Sequence, residues 1–149
     1  MSVTLNDLTI NFSHLDRDNL LEDWEWLLKG DYLPILLSAC GDAFVQHLSN
    51  GEIWWLDSAG AEFSKVADSP EEFNKLLSDK EFVIEYFAVQ MVGDLIHSGK
   101  KLNNGQIYSL TKPWLLGGKY ELSNIEPTDI AVHFSITGQI AEQVASNGS

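Results

Sequence analysis

The chain has 149 residues, a hydrophobic content of 44% and a formal net charge of −13, from 22 acidic and 9 basic side chains. This length fits about one domain, and the apolar content is typical of a globular protein rather than a disordered one. The charge argues against direct binding to nucleic acid, which relies on clustered Lys and Arg, and favours a basic protein partner. Acidity that only keeps the protein soluble is the alternative.

The sequence shows no membrane or secretion signal. No apolar run approaches the roughly 20 residues that cross a bilayer, and the N-terminus lacks the charged and apolar regions of a signal peptide. We therefore expect a cytoplasmic protein without membrane contact. The single cysteine, Cys40, cannot form an internal disulfide and follows a strand-like apolar run, which predicts a buried, unreactive thiol.

The first thirty residues predict an edge strand and a helix. Residues 1–17 form an N-terminal segment in which Val3 to Phe12 resembles an edge strand. A helix is predicted from Asp18 to Lys29, because five apolar residues recur there at helical spacing, and Gly30 would end it. The five residues are Leu20, Leu21, Trp24, Leu27 and Leu28.

Four strands at short intervals predict a meander. The candidates are Pro34–Cys40, Ala43–Leu48, Glu52–Asp57 and Glu62–Val66. Asn50-Gly51 between the second and third strands predicts a type I′ hairpin turn, which needs positive φ at both residues. In the third strand Ile53 and Trp55 would face one side of the sheet, and Trp54 and Leu56 the other. Both faces of the sheet should therefore be covered.

The second half predicts mainly helices, with short strands between them. Ser69 as N-cap, Pro70 at the first helical position and Glu72 at the third predict a helix start. A continuous helix from about Lys80 to His97 should follow, with Ser78 or Asp79 as its cap. Further predictions are strands at Gln106–Leu110, Lys119–Ser123 and near Ile130–Phe134, a tight turn at Gly117-Gly118, a short helix to Ala145 and a flexible tail over 147–149.

These elements predict a single α+β domain, in which helices pack on a mostly antiparallel meander sheet over residues 18–146. The pattern lacks the spacing of known catalytic, metal, dinucleotide and phosphate-binding motifs. Its four histidines, His14, His47, His97 and His133, are scattered. We therefore expect a protein that is not an enzyme and needs no cofactor or metal.

Two other function classes stay open. One is a small-ligand binding or regulatory domain with an aromatic-lined pocket. The residues of that pocket would be Trp54, Trp55, Trp114 and Tyr120. The other is a hydrolase that uses His47 or His133 with a nearby acid.

Trp26 is the most specific candidate for partner binding. On a helical projection it lies nearly opposite the apolar stripe, beside Glu22 and Glu25. One interpretation is that residues 1–12 fold over this face and bury the indole. The other is an exposed aromatic anchor with an acidic rim, and Glu22, Glu25 and Trp26 are then the candidate partner-binding residues.

Several short motifs resemble one known family. They are Trp24 to Trp26, Pro34–Leu37, Gly41-Asp42, Trp54–Asp57, Lys65–Ser69, and Leu116–Gly118 followed by Asn124-Ile125. In this order they resemble the Tdi-type immunity-protein domain of bacterial type VI secretion, over residues 18–145. The resemblance implies a stand-alone short form of an antitoxin that binds and neutralises a secreted effector toxin, such as a DNase, without cofactor or catalytic residues. The N-terminal module of longer relatives is expected to be absent or reduced.

Overall fold

The computed structural model describes residues 4–147, and its central feature is a five-stranded antiparallel sheet in the order β1-β2-β3-β4-β5. The strands are β1 (Thr9–Ile10), β2 (Tyr32–Ser38), β3 (Ala43–His47), β4 (Ile53–Asp57) and β5 (Glu62–Ala67). A separate antiparallel pair consists of β6 (Gln106–Leu110) and β7 (Ile125–Asp129). The predicted meander and the α+β class are confirmed.

Helices cover both faces of the sheet. They are α1 (Leu5–Leu8), α2 (Glu25–Leu28), α3 (Pro70–Leu77), α4 (Lys80–Phe87), α5 (Val89–His97) and α6 (Ile130–Asn147), with short 3-10 turns at Glu22–Trp24, Trp114–Leu116 and Leu122–Asn124. On one face, Ile53 and Trp55 pack in the cluster that α3, α4 and α5 complete. On the other, Trp54 and Leu56 pack with α6 and the 22–28 segment. The predicted division of β4 between two covered faces is confirmed.

The N-terminal predictions hold only in part. The edge strand is confined to Thr9–Ile10, which pairs with β2, and α1 precedes it; residues 1–3 lie outside the described residues. The continuous helix over 18–29 is wrong. The Asp16 carboxylate accepts from the Asp18 N–H and the Asn19 amide at 3.0 and 2.7 Å, and such local bonds compete with helix formation. Lys29, at φ 51°, ends the single turn of α2 one residue before Gly30.

The β3–β4 hairpin forms, but its turn is not type I′. His47 N–H donates to the Glu52 carbonyl at 2.8 Å, which leaves a four-residue loop over 48–51. Gly51 has a φ of +78°, whereas Asn50 does not have positive φ. The Asn50 side chain instead accepts from the Glu52 N–H at 2.9 Å. The short-range signal therefore located the hairpin but not its geometry.

The predicted helix over 80–97 is broken at Ala88, which adopts a left-handed φ of 50°. Phe82, Phe87 and Val92 are all buried in the same cluster. Residues five apart lie about 140° apart around a straight helix, so these three could not share one face. The break turns α5 and lets both helices bury their apolar residues. The helix starts are as predicted: Ser69 caps α3 by accepting from Glu72 N–H at 3.2 Å, and Asp79 caps α4.

The C-terminal predictions are corrected most strongly. The strand at Gln106–Leu110 and the tight turn at Gly117 are confirmed. The strand at Lys119–Ser123 is wrong, and the region predicted as a strand at Ile130–Phe134 begins an 18-residue helix, α6. The predicted short helix to Ala145 is confirmed as part of α6. Of the predicted tail, Asn147 belongs to α6 and residues 148–149 lie outside the described residues. The alternating apolar residues Ile130, Val132 and Phe134 suggested period two. Ile130 and Phe134 are also four apart, and in the helix both are fully buried.

Candidate functional site

A cavity of about 390 Å³ opens between α6 and the segment from Thr111 to Tyr120. One wall is formed by three apolar residues on successive turns of α6, which are Val132, Ile136 and Ile140. The other wall carries Trp114, Leu115 and Tyr120. We call this cavity the α6 groove. Its size lies within the range of about 300–1,000 Å³ that is typical of ligand pockets.

The loop wall of the groove is held in place by two sets of contacts. Gly117, at φ +97°, ends the Trp114–Leu116 turn, and a Cβ at Gly118 would lie 1.8 Å from the Lys112 carbonyl oxygen, so only glycine fits there. The Asn124 side chain, directly before β7, accepts from the Lys112 N–H at 2.9 Å and donates to the Lys112 carbonyl at 3.1 Å. These contacts fix the wall against the β6–β7 pair.

The floor of the groove is a polar network around His133. Its Nε2 lies 2.9 Å from the Gly41 carbonyl oxygen and 3.0 Å from Ser58 Oγ, and its Nδ1 lies 2.8 Å from Ser109 Oγ. Because the carbonyl can only accept, Nε2 carries the proton and Nδ1 accepts from the Ser109 hydroxyl. Ser58 in turn donates to the Gly41 carbonyl at 2.7 Å. The network joins the β2–β3 turn, the β4–β5 turn, β6 and α6.

The surroundings of this network favour the neutral forms of its titratable side chains. Burial lowers the pKa of His133 to about 4, although its bond to Gly41 acts in the opposite direction. Burial also raises the pKa of the Asp42 carboxyl well above its usual value, with a further contribution from Asp57. Cys40, at the edge of the floor, has its pKa raised to about 12, mainly by burial and then by Asp42. The predicted burial of the thiol is confirmed.

The geometry does not assemble a hydrolase. Nε2 of His133 is already protonated toward Gly41, so it cannot take a proton from Ser58. Asp42 accepts from the Ser58 N–H at 3.1 Å, but no carboxylate within residues 4–147 contacts His133. His47, the other candidate, accepts from the Ser49 N–H at 3.2 Å and so orders the hairpin loop. Within the same residues, no group of three or more His, Cys, Asp or Glu side chains could hold a metal ion.

The structure separates the aromatic residues that the sequence suggested as one pocket. Trp114 and Tyr120 line the α6 groove. Trp54 stacks on Phe63 at 4.9 Å, on the α6 side of the sheet. Trp55 meets Tyr86 edge-on at 4.9 Å, on the other side. Both indoles of β4 therefore belong to the core, and only half of the predicted pocket exists.

The predicted partner-binding residues lie away from the groove. Glu22 and Glu25 are exposed, and Trp26 is half-buried. Its ring stacks on that of the fully buried Trp24, at 6.0 Å between centroids, and its indole N–H meets no acceptor among the described residues. The projection that placed Trp26 on a polar face assumed a continuous helix, which does not form. Trp26 is therefore neither the fully covered residue nor the fully exposed anchor of the two sequence interpretations.

Sequence reasoning missed the α6 side of the groove. Val132 and Ile136 are 46% and 51% exposed, although both are aliphatic. Their spacing with Ile140 is helical, and this signal was available once the segment was recognised as a helix. Among the described residues, no helix is long and apolar enough to cross a membrane.

Comparison with known proteins finds a matching family model and a similar solved structure. A family model described as the C-terminal domain of the type VI secretion immunity protein Tdi1 matches residues 67–141, half of the chain. No curated protein matches. A solved structure, "Crystal structure of Atu4351 from Agrobacterium tumefaciens", shares the fold with a TM-score of 0.59 and 17% identity. The match covers 84% of this chain and 65% of that one, so the chain spans just under two thirds of the solved protein's length.

Proposed function

Because the chain belongs to the family of type VI secretion immunity proteins with a Tdi1-type C-terminal domain, we propose that it is a non-enzymatic antitoxin that binds a cognate toxin in the cytoplasm. Family membership is the observation that carries this proposal. The floor of the α6 groove supports the absence of catalysis, because its histidine is neutral, buried and already bonded at both ring nitrogens.

The toxin is basic, and we propose that it is a nuclease. A nuclease needs a positively charged cleft to hold phosphate groups. A chain with a net charge of −13 attracts such a cleft and speeds association with it. The same charge repels DNA and RNA, so we propose no direct contact with nucleic acid, and none with a membrane. The antitoxin acts by covering or distorting the toxin's active site.

Glu22, Glu25 and Trp26 form a contact patch for this toxin. Both carboxylates are exposed, and the half-buried indole keeps part of its apolar area accessible. An aromatic residue with charged neighbours is the usual composition of a binding hot spot and its rim. The buried stacking on Trp24 holds the indole in a fixed orientation, which lowers the entropic cost of binding.

A co-expression experiment tests the proposal. The candidate toxin is the product of the neighbouring gene, provided that this gene encodes a secreted nuclease. A bacterium that produces this nuclease should stop growing and lose intact chromosomal DNA, and the wild-type chain should restore both. Failure of the wild-type chain to protect would reject the antitoxin function for that nuclease.

Charge reversal tests the contact patch separately. The double variant Glu22→Lys/Glu25→Lys should weaken toxin binding by at least about tenfold, since two attractive contacts become repulsive. Glu81→Lys/Glu85→Lys is the matched control, because these exposed residues of α4 change the net charge equally on the other face of the sheet. Equal effects of both variants would assign the result to overall charge and remove the patch.

A further inference from the structure

The rim of the α6 groove is unusually apolar for an exposed surface. Four of the nine large hydrophobic side chains that are exposed among residues 4–147 converge on it. They are Trp114, Tyr120, Val132 and Ile136, at 44%, 39%, 46% and 51% exposure. Single exposed apolar residues are ordinary, whereas a contiguous patch around a concave site marks an interaction surface.

The floor of the groove selects what can enter. His133 is neutral and the Ser58 hydroxyl proton is already used inside the protein, so the floor offers no charge to a buried Lys or Arg. Ser109 lines the groove, and because its hydroxyl donates to His133, its oxygen can still accept a hydrogen bond. An aromatic side chain that carries one donor, an indole N–H or a phenol O–H, therefore suits both the apolar walls and the floor.

Charge around the groove is one-sided. From Tyr120 to the C-terminus there is no Lys or Arg, and the segment carries four acidic residues, which are Glu121, Glu126, Asp129 and Glu142. Glu126 lines the groove and is paired with Lys100, and Glu142 is the acidic residue within α6 itself. The opposite wall carries positive charge, because Lys119 Nζ lies 5.5 Å from the centre of the Trp114 ring. Basic residues beside an entering side chain would therefore lie over α6 and its preceding strand, away from Lys119.

We infer that the α6 groove receives an aromatic anchor, Trp or Tyr, from the toxin, with basic residues of the toxin placed over Asp129 and Glu142, which lie directly before and within α6. The inference rests on the proposed antitoxin function and names a second contact surface beyond the Glu22–Trp26 patch. It fits the usual anatomy of protein interfaces, in which a central aromatic residue fills a pocket and charged contacts surround it.

The test compares Ile136→Glu with Ile84→Glu. Ile84 is a matched control, because it is 53% exposed and lies on another helix, α4. Glu keeps the helix propensity in both variants. With a catalytically inactivated form of the nuclease from the co-expression experiment as the probe, Ile136→Glu should weaken binding by about thirtyfold or more, while Ile84→Glu should stay within about twofold.

Hydrogen exchange on the wild-type complex locates the contact without any substitution. Protection on toxin binding should appear in residues 113–122 and 132–140. Unchanged exchange there, or equal binding by Ile136→Glu and wild type, would overturn the groove inference and leave the antitoxin function standing. A wild-type chain that does not bind the nuclease would reject both. A wild-type dimer that Ile136→Glu converts to a monomer would assign the groove to a second copy, which also overturns the inference.

Discussion

His133 is kept neutral by the fold, and this makes stability depend on pH in a definite direction. Its pKa falls from 6.5 in the unfolded chain to about 4 in the folded protein. Between these values the unfolded state binds more protons, so this contribution to stability is complete above about pH 6.5 and is lost as the pH falls toward 4. The total loss should be roughly 3 kcal/mol. Chemical denaturation across this pH range measures it.

The variant His133→Gln isolates this effect. Asp42 works in the opposite direction, because its raised carboxyl pKa favours the folded state as the pH falls, and that contribution is common to both proteins. The difference in unfolding free energy between wild type and variant should therefore carry the pH dependence of His133 alone. An NMR titration that gives His133 a pKa near 6.5 would contradict the prediction.

Glycine is required at position 41 by the close approach of His133 as well as by the positive φ of the backbone. Its φ is +88°, and a Cβ there would lie 2.5 Å from His133 Nε2. Gly41→Ala should destabilise the protein by about 2 kcal/mol or more, because it adds a clash to the strain of positive φ. Gly99 has a similar φ of +94° and nothing within 4 Å of a Cβ, so Gly99→Ala should cost only about 1 kcal/mol. Equal melting temperatures of the two variants would show that the contact costs nothing.

At the level of single residues, the sequence predicted which side chains are buried better than it predicted which groups bond to each other. Cys40 and the two faces of β4 followed from the local pattern. The bond between His133 and Gly41 joins residues 92 positions apart, and nothing in the local pattern of either residue points to the other. A histidine at a buried helical position needs partners, but only the tertiary fold says which ones.

The left-handed conformation of Ala88, at the break between α4 and α5, predicts how a substitution there changes stability. An alanine at φ 50° is strained, because its Cβ crowds the following carbonyl oxygen. Ala88→Gly should therefore stabilise the protein by roughly 0.5–1 kcal/mol. Ala131→Gly is the control of opposite sign, since Ala131 is an exposed residue in right-handed α6. The melting temperatures of both variants test this prediction. A lower melting temperature for Ala88→Gly would mean that the packing of the methyl group outweighs the backbone strain.

Strong local signals predicted helices and strands correctly. A segment whose apolar spacing fits both a helix and a strand was predicted wrongly. The cap of α3 and the four strands from β2 to β5 were found because capping and strand alternation are short-range effects. The start of α6 was predicted as a strand because Ile130, Val132 and Phe134 satisfy both a strand and a helix pattern. Tertiary packing resolves this ambiguity, since Gly138 lets the backbone of Asp23 approach α6 closely.

The α6 groove shows why a site can be harder to predict than a fold. Its lining comes from distant parts of the chain: Cys40 and Ser58 from the sheet turns, Trp114 and Tyr120 from a loop, and Ile136 from the last helix. Each residue had an ordinary local explanation as core, turn or surface. The sequence did indicate the family, because the family motifs are spread along the chain and do not require knowledge of its contacts.

The net charge of the whole molecule predicts that the rate of toxin binding depends on salt concentration. With a net charge of −13, long-range attraction should guide a basic toxin to the chain, and salt screens that attraction within a Debye length of about 8–10 Å at physiological ionic strength. Raising the salt from about 0.05 M to about 0.5 M should therefore lower the association rate by at least about tenfold. The dissociation rate should change much less, because the apolar contacts of a seated anchor do not depend on ionic strength. Stopped-flow measurement with the inactivated nuclease separates the two rates. An association rate indifferent to salt would remove charge as the basis of partner selection.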